Sequence, residues 1–451
     1  MTRIFAASAL LPAGIAAEVR LTIEHSRVAR IETGAVPEPG DVRVGMLIPG
    51  MTSLHSHAFQ RGMAGLAEIR GPGQDTFWTW RETMYRFALA MTPDQFAAVA
   101  AFLYAEMLEA GFTRVGEFHY LHHAPDGRPY DDIAEMAGRI CQAAHETGIG
   151  LTLLPSFYAH GGFGGAAALP GQRRFVCDLD GFARLLEASR AALARLEDAD
   201  IGIAPHSLRA VTPEELAAIV TLADGAPIHI HAAEQVKEVD DCLAWSGQRP
   251  VAWLLDNAAL DRRWCLIHAT HMTADETTRL AASGATAGLC PMTEASLGDG
   301  TFNATQFTAA GGHFGIGTDS NILIGVTDEL RQLEGSQRLR DRVRNALSAG
   351  GGSTGEFLYA RAAAGGAKAL ATGAGAIEVG RPADLVAINT TQPAFAAARP
   401  SQLLDVWIFA SKGAVDRVWV GGREVVSGGR HRSRETLATR FGDALRALGA
   451  A

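Results

Sequence analysis

Leu47-Ile-Pro-Gly-Met-Thr-Ser-Leu-His-Ser-His57, with Gln60 and Arg61 just behind it, is the stretch on which the reading of this chain turns. The apolar run Met46-Leu47-Ile48 reads as a buried strand stopping at Pro49-Gly50, and two histidines follow, one residue apart. In extended chain, residues i and i+2 point the same way, so the His55 and His57 rings can converge on one ion. A pair of histidines on a solvated loop looks the same in sequence. An ion site needs three or four N/O ligands in all, so a metal reading requires partners downstream.

Seven further short apolar segments supply candidate positions: Thr113–Phe118, Gly150–Pro155, Ile201–Pro205, Pro227–His231, Trp264–His268, Thr286–Cys290 and Phe314–Asp319. Helical patterns lie between them at Pro93–Glu109, Asp132–Glu146, Leu179–Leu196, Pro213–Ala223, Glu238–Asp256 and Ala274–Ser283. Strand–helix alternation implies a parallel sheet, and eight strands fit an α/β protein of the (β/α)8 TIM-type barrel class. A doubly wound open sheet is the competing arrangement. The barrel reading demands functional residues at the C-terminal strand ends. Strands one, four, five, six and eight end in His55 and His57, His206, His231, His268 and Asp319. Singly, each has an ordinary explanation: Asp319 as a helix or turn cap, His231 or His268 as a core imidazole bonded to backbone. Together they make a mouth able to hold a divalent ion, Zn²⁺ or another first-row ion such as Fe²⁺ or Mn²⁺. An open coordination position at such a site brings a water toward a neutral pKa. Glu234, three residues past His231, is then placed for general acid–base work, unless it is an ordinary first-turn helix glutamate.

Both chain ends are β-rich. Phe5–Leu11, Glu18–Glu24 and Val28–Glu32 alternate at one end, and Ala383–Ile388, Val415–Val420 and Arg423–Val426 at the other. The expected organisation is residues 1–45 as the first part of a small β-sandwich, 46–375 as the barrel, and 376–451 as the rest of the sandwich and a tail. At 451 residues the chain exceeds one ordinary domain. A net charge of −9 argues against a general nucleic-acid binder. Five scattered cysteines without a CxxC pair point to reduced thiols and a cytoplasmic protein. The N-terminus carries one charge and a Pro12 interruption before a strand, unlike a leader peptide, and no apolar run is long enough to span a membrane.

His55-x-His57, His231-Ala-Ala-Glu234, His268 and Gly317-Thr-Asp319 resemble the amidohydrolase superfamily in its deaminase-type mononuclear branch. That resemblance implies His55, His57, His231 and Asp319 as ligands of a single ion, with His268 hydrogen-bonded at the attacked centre. The bridging lysine of two-metal relatives has no counterpart, since Lys237, Lys368 and Lys412 all lie elsewhere. Phe77–Tyr85, Gly116–His123, Phe163–Gly165, Gln172–Phe175, Ala204–Arg209, Glu234–Cys242 and Gly288–Gly300 together resemble the formimidoylglutamate deiminase family over essentially the whole chain. The family resemblance implies a small dicarboxylate substrate and a homodimer. It implies catalytic roles for Glu234, His268 and Asp319, and a substrate pocket of Gln60, Arg81, Tyr120, His206 and Arg209. Arginine forks suit carboxylates, although Arg81 beside Glu82 also reads as a surface ion pair. Competing functions are deamination of guanine, an adenosine derivative or a triazine, and a non-catalytic assembly role. Gly161–Gly165 lacks the Lys-Ser/Thr of a phosphate loop and reads instead as a mobile loop over the site.

Overall fold

The computed structural model describes residues 1–449. Eight parallel strands form the barrel, beginning with Met51–Ser56, Phe112–His119 and Gly150–Phe157, then a fourth strand split into Ala199–Ile201 and Ala204–Pro205. Ile228–Ala232, Trp264–His268, Thr286–Leu289 and His313–Ile316 complete it. Parallel bridges between Ser56 and Asp319 and between Ile203 and Ile228 close the two half-sheets into a ring. The first three strands are buried along their whole length, as expected of parallel strands covered on both faces.

Met46-Leu47-Ile48 is not the first barrel strand, contrary to the sequence expectation. It is the end of Val42–Pro49, which pairs parallel with Thr2–Leu11 and antiparallel with Leu385–Ile388. Pro49-Gly50 is a corner rather than a stop. The Gly50 amide donates to the Asp384 carbonyl (2.8 Å), and the chain then enters the barrel at Met51. An apolar run flanked by turn residues reads alike in either sheet, so only long-range pairing tells them apart.

The two chain ends form one eight-stranded mixed sheet whose seam is the Val42–Pro49 and Leu385–Ile388 pair. This small sandwich-like module has its own core of Ile4, Val19, Leu21, Leu47, Leu385 and Trp419. The tail carries Arg434–Gly449, a helix with Phe441 stacked on Phe102 of the long helix Pro93–Ala110 (4.4 Å between ring centroids). The single helix expected over Glu238–Asp256 is two, Val236–Ser246 and Pro250–Asn257. Gly247 takes φ 74° as the left-handed C-cap, and Pro250 starts the second helix. Strand one is followed by a 3₁₀ turn, Ala58–Met63, and a helix, Phe77–Ala90, which stands over the barrel mouth. No single helix among the described residues is long and apolar enough to cross a membrane. All five cysteines are buried free thiols.

Candidate active site

The C-terminal ends of the barrel strands bring His55, His57, His231 and Asp319 together, with one ligand atom from each within 4.8 Å of the others. His55 Nε2 lies 3.2 Å from His231 Nε2 and 3.3 Å from Asp319 Oδ1, and His57 Nε2 is 3.4 Å from that same oxygen. The outer ring nitrogens decide what these atoms are. His57 Nδ1 donates to the Phe118 carbonyl and His231 Nδ1 to the His206 carbonyl, both at 2.9 Å. Each ring therefore carries its proton on Nδ1 and presents a bare Nε2 lone pair inward. Burial, the largest influence on both rings, also lowers their basicity and keeps them neutral. Lone pairs and a carboxylate directed at one point suit a cation there. The donor set of three imidazoles and one carboxylate fits a single divalent ion.

Two of these strand ends leave ordinary backbone space. His268 has φ 67° and Asp319 φ 45°, left-handed values for non-glycine residues at the turn out of the barrel. Ala233 also has φ 51°, and Glu238 accepts the Ala233 and Glu234 amides at 3.1 Å each, which directs the Glu234 side chain toward the mouth. Glu234 Oε1 and Asp319 Oδ2 both lie 3.6 Å from His268 Nε2. Behind the ring, His268 Nδ1 donates to Glu294 Oε1 (3.2 Å), which also accepts the Cys290 amide. Burial pushes the Glu234 carboxyl up to about 7, against the pull of His268 and Arg209. Burial opposes charge on His268, but Glu234, Glu294 and Asp319 outweigh it and raise the ring to about 10. Glu234 thus sits where a group can hold or release a proton near neutral pH.

The cleft above is lined by Gln60, Arg81, Tyr85, Tyr120, Tyr158, Phe175, His206 and Arg209, so every candidate pocket residue reaches it. Gln60 Nε2 donates to the Tyr120 hydroxyl (2.9 Å), and His206 Nδ1 contacts Ser207 Oγ (3.1 Å). Arg81 is stacked on Trp78 at 4.5 Å, and Arg209 approaches the same ring at 6.0 Å. Their buried Nε atoms have no hydrogen-bond partner among the described residues. The ion pair of Arg81 with Glu82 considered from sequence does not form; Arg209 instead has Glu234 at 3.9 Å. In the Gly161–Gly165 segment Phe163 stacks on Trp245 (5.5 Å), and none of its residues lines the cleft, whereas Tyr158 and Phe175 on either side of it in sequence do. Glu294 and Tyr158 were not singled out in the sequence, because neither stands at a strand end with a ligand-like neighbour.

Glu117 supports the loop between strand one and the pocket. Its carboxyl accepts the Ala58 amide (2.6 Å) and the Tyr104 hydroxyl (3.2 Å), while burial raises it to about 8. The folded protein thus binds this proton more tightly than the unfolded chain, and stability from this group falls as pH rises from about 4.5 to about 8. Glu117→Gln is therefore expected to gain stability relative to the parent across that window, by on the order of a few kcal/mol. Urea unfolding at pH 5 and pH 8 checks this, and a pH-independent difference would contradict it.

A closed parallel barrel with this tetrad and a carboxylic acid beside it defines a metal-dependent hydrolase of the amidohydrolase type. Residues 46–425 match the amidohydrolase family model, and residues 1–45 match the formimidoylglutamate deiminase HutF N-terminal domain. The chain is 50% identical to a formimidoylglutamate deiminase from Pseudomonas aeruginosa over 98% of each chain. It is 28% identical to a 5-methylthioadenosine/S-adenosylhomocysteine deaminase from Natronomonas pharaonis, over 90% of this chain and 89% of that one. A crystal structure of an amidohydrolase from Brucella melitensis superposes with a TM-score of 0.96 at 57% identity, covering 99% of this chain and all of the other. The chain belongs to the amidohydrolase family, and within it to the formimidoylglutamate deiminases.

Proposed function

We propose that this protein hydrolyses N-formimino-L-glutamate to N-formyl-L-glutamate and ammonia, as a step of histidine degradation. The observation that carries this reading is the pair of guanidinium groups, Arg81 and Arg209, held with unsatisfied Nε donors in the same cleft as the histidine–aspartate tetrad. Two cationic forks suit a substrate with two carboxylates. A nucleobase offers them no anionic partner. The similarity to the Pseudomonas aeruginosa deiminase supports the same substrate.

His55, His57, His231 and Asp319 would hold one divalent ion, zinc foremost, with iron(II) or manganese(II) fitting the same donors. When bound, the ion supplies Lewis acidity that brings a water toward a neutral pKa. Arg81, Arg209, Gln60, Tyr120 and His206 hold the glutamate portion and place the formimino carbon over the tetrad. The Asp319 carboxylate accepts a proton as water attacks that carbon, and His268, braced by Glu294, donates a hydrogen bond to the new oxygen. Glu234 delivers a proton to the terminal nitrogen. As that carbon–nitrogen bond breaks and ammonia leaves, the new hydroxyl gives its remaining proton back to the Glu234 carboxylate to become the formyl oxygen, and the proton held by Asp319 passes to the departing ammonia. The accompanying reading is a cytoplasmic homodimer that engages neither nucleic acid nor membrane.

Product analysis by proton NMR tests the reaction: one N-formyl-L-glutamate and one ammonia are expected per substrate consumed. Release of formamide and glutamate would mean that the other carbon–nitrogen bond breaks and would overturn the assignment.

A further inference from the structure

Beside the two arginines, the cleft wall contains a polar group that none of the roles above uses. Gln172 is fully buried in the segment Pro170–Phe175, behind the cleft. Its Oε1 accepts the Leu169 amide (2.6 Å), which fixes which end of the side chain is oxygen and which is nitrogen. The Nε2 amide then donates to two phenols at once, the Tyr85 hydroxyl at 3.2 Å and the Tyr158 hydroxyl at 2.6 Å. Both phenols line the cleft beside Arg81 and Arg209. Tyr85 lies one helical turn after Arg81, whose guanidinium carbon is 5.5 Å from its ring, and Tyr158 directly follows the third barrel strand.

The hydrogen count is decisive. Each phenol oxygen accepts from Gln172, so its own hydrogen must point elsewhere. Even if one hydroxyl donates to the other, at least one hydrogen lacks an acceptor among the described residues. Tyr158 is buried and Tyr85 half-buried, so a phenol hydrogen turned toward the cleft is a donor that a ligand there can satisfy. The backbone accommodates the arrangement: a Cβ at Gly171 would lie 2.8 Å from the Tyr85 ring, so only glycine lets the ring approach. Phe175, 5.8 Å from Tyr85 and 5.9 Å from Tyr158, braces both rings.

We propose that Tyr85 and Tyr158 are specificity-determining donors to one carboxylate of the substrate, and that Gln172 is the positioning residue that turns their hydrogens toward it. The arginines supply charge, and the phenols beside them supply directed hydrogen bonds. Only an acceptor-rich group such as a carboxylate satisfies all of them. This proposal deepens the dicarboxylate reading and rests on it.

Enzyme and substrate are varied together in the test. Tyr158→Phe and Tyr85→Phe are assayed by ammonia release with N-formimino-L-glutamate, with its side-chain amide N-formimino-L-glutamine, and with N-formimino-4-aminobutyrate, which lacks the α-carboxylate. With the full substrate, at least one variant should lose roughly 10- to 100-fold in kcat/KM, mostly through KM. The loss should shrink to within about threefold on the one analogue lacking the contacted carboxylate. Gln172→Glu keeps the size and the Leu169 acceptor but offers the phenols an acceptor instead of a donor. It should raise KM far more than it lowers kcat, without loss of thermal stability, and add nothing further in the Tyr85→Phe/Tyr158→Phe background. Equal losses on all three substrates, or no loss in any variant, would overturn the proposal while leaving the deiminase reading intact. A parent enzyme that released no ammonia from N-formimino-L-glutamate would overturn both.

Discussion

Glu234→Gln is expected to lower kcat by roughly 10²- to 10⁴-fold while leaving metal content unchanged. Glutamine fills the same volume and can still accept from His268 and Arg209, so the shape of the pocket is disturbed little. What it lacks is a proton near neutral pKa. Glu234 is three residues beyond His231 and outside the tetrad, so the ion's donors survive the change. Its backbone is held independently by Glu238, which grips the Ala233 and Glu234 amides. Turnover and metal stoichiometry measured on one preparation separate the possibilities. Loss of turnover with full metal supports the proton-transfer role, whereas near-parent turnover would remove Glu234 from the chemistry.

Arg209→Met carries the second large effect. Methionine covers a similar apolar path but removes the fork, so a buried carboxylate of the substrate would lose its charged partner. Truncating one side of a buried charge pair costs about 2–5 kcal/mol, which corresponds to roughly 30- to several-thousand-fold in kcat/KM. Most of this should appear in KM. Part should reach kcat, because Arg209 lies 3.9 Å from Glu234 and restrains the rise of its pKa. Steady-state kinetics check the split, and an unchanged kcat/KM would exclude Arg209 from the pocket.

The sequence exposed whatever has local chemistry. His55-x-His57 and the histidines and aspartate after later apolar runs mark strand ends, because a TIM-type barrel gathers its chemistry there. Arg81 and Arg209 follow from what a dicarboxylate requires together with the family resemblance. The corner at Pro49-Gly50 was not legible, since Met46-Leu47-Ile48 is equally apolar in either sheet and its partners lie in residues 2–11 and 385–388. The break in the helix after Glu234 had a local signal, Gly247 followed by Pro250, but the apolar spacing continues across it. Glu294 and Tyr158 carry no such signal. Glu294 matters because it reaches His268, twenty-six residues away, and Tyr158 because Gln172 folds back on it. Such partners are set by the closed barrel, not by spacing along the chain.

The deiminase reading predicts a sharp substrate preference. Ammonia release by the metal-loaded enzyme, measured as kcat/KM for N-formimino-L-glutamate, guanine and 5′-methylthioadenosine side by side, tests it most directly. A site whose half-buried arginines are matched only by carboxylates should favour N-formimino-L-glutamate by roughly 10⁴-fold or more. Comparable or faster ammonia release from either purine would contradict the account.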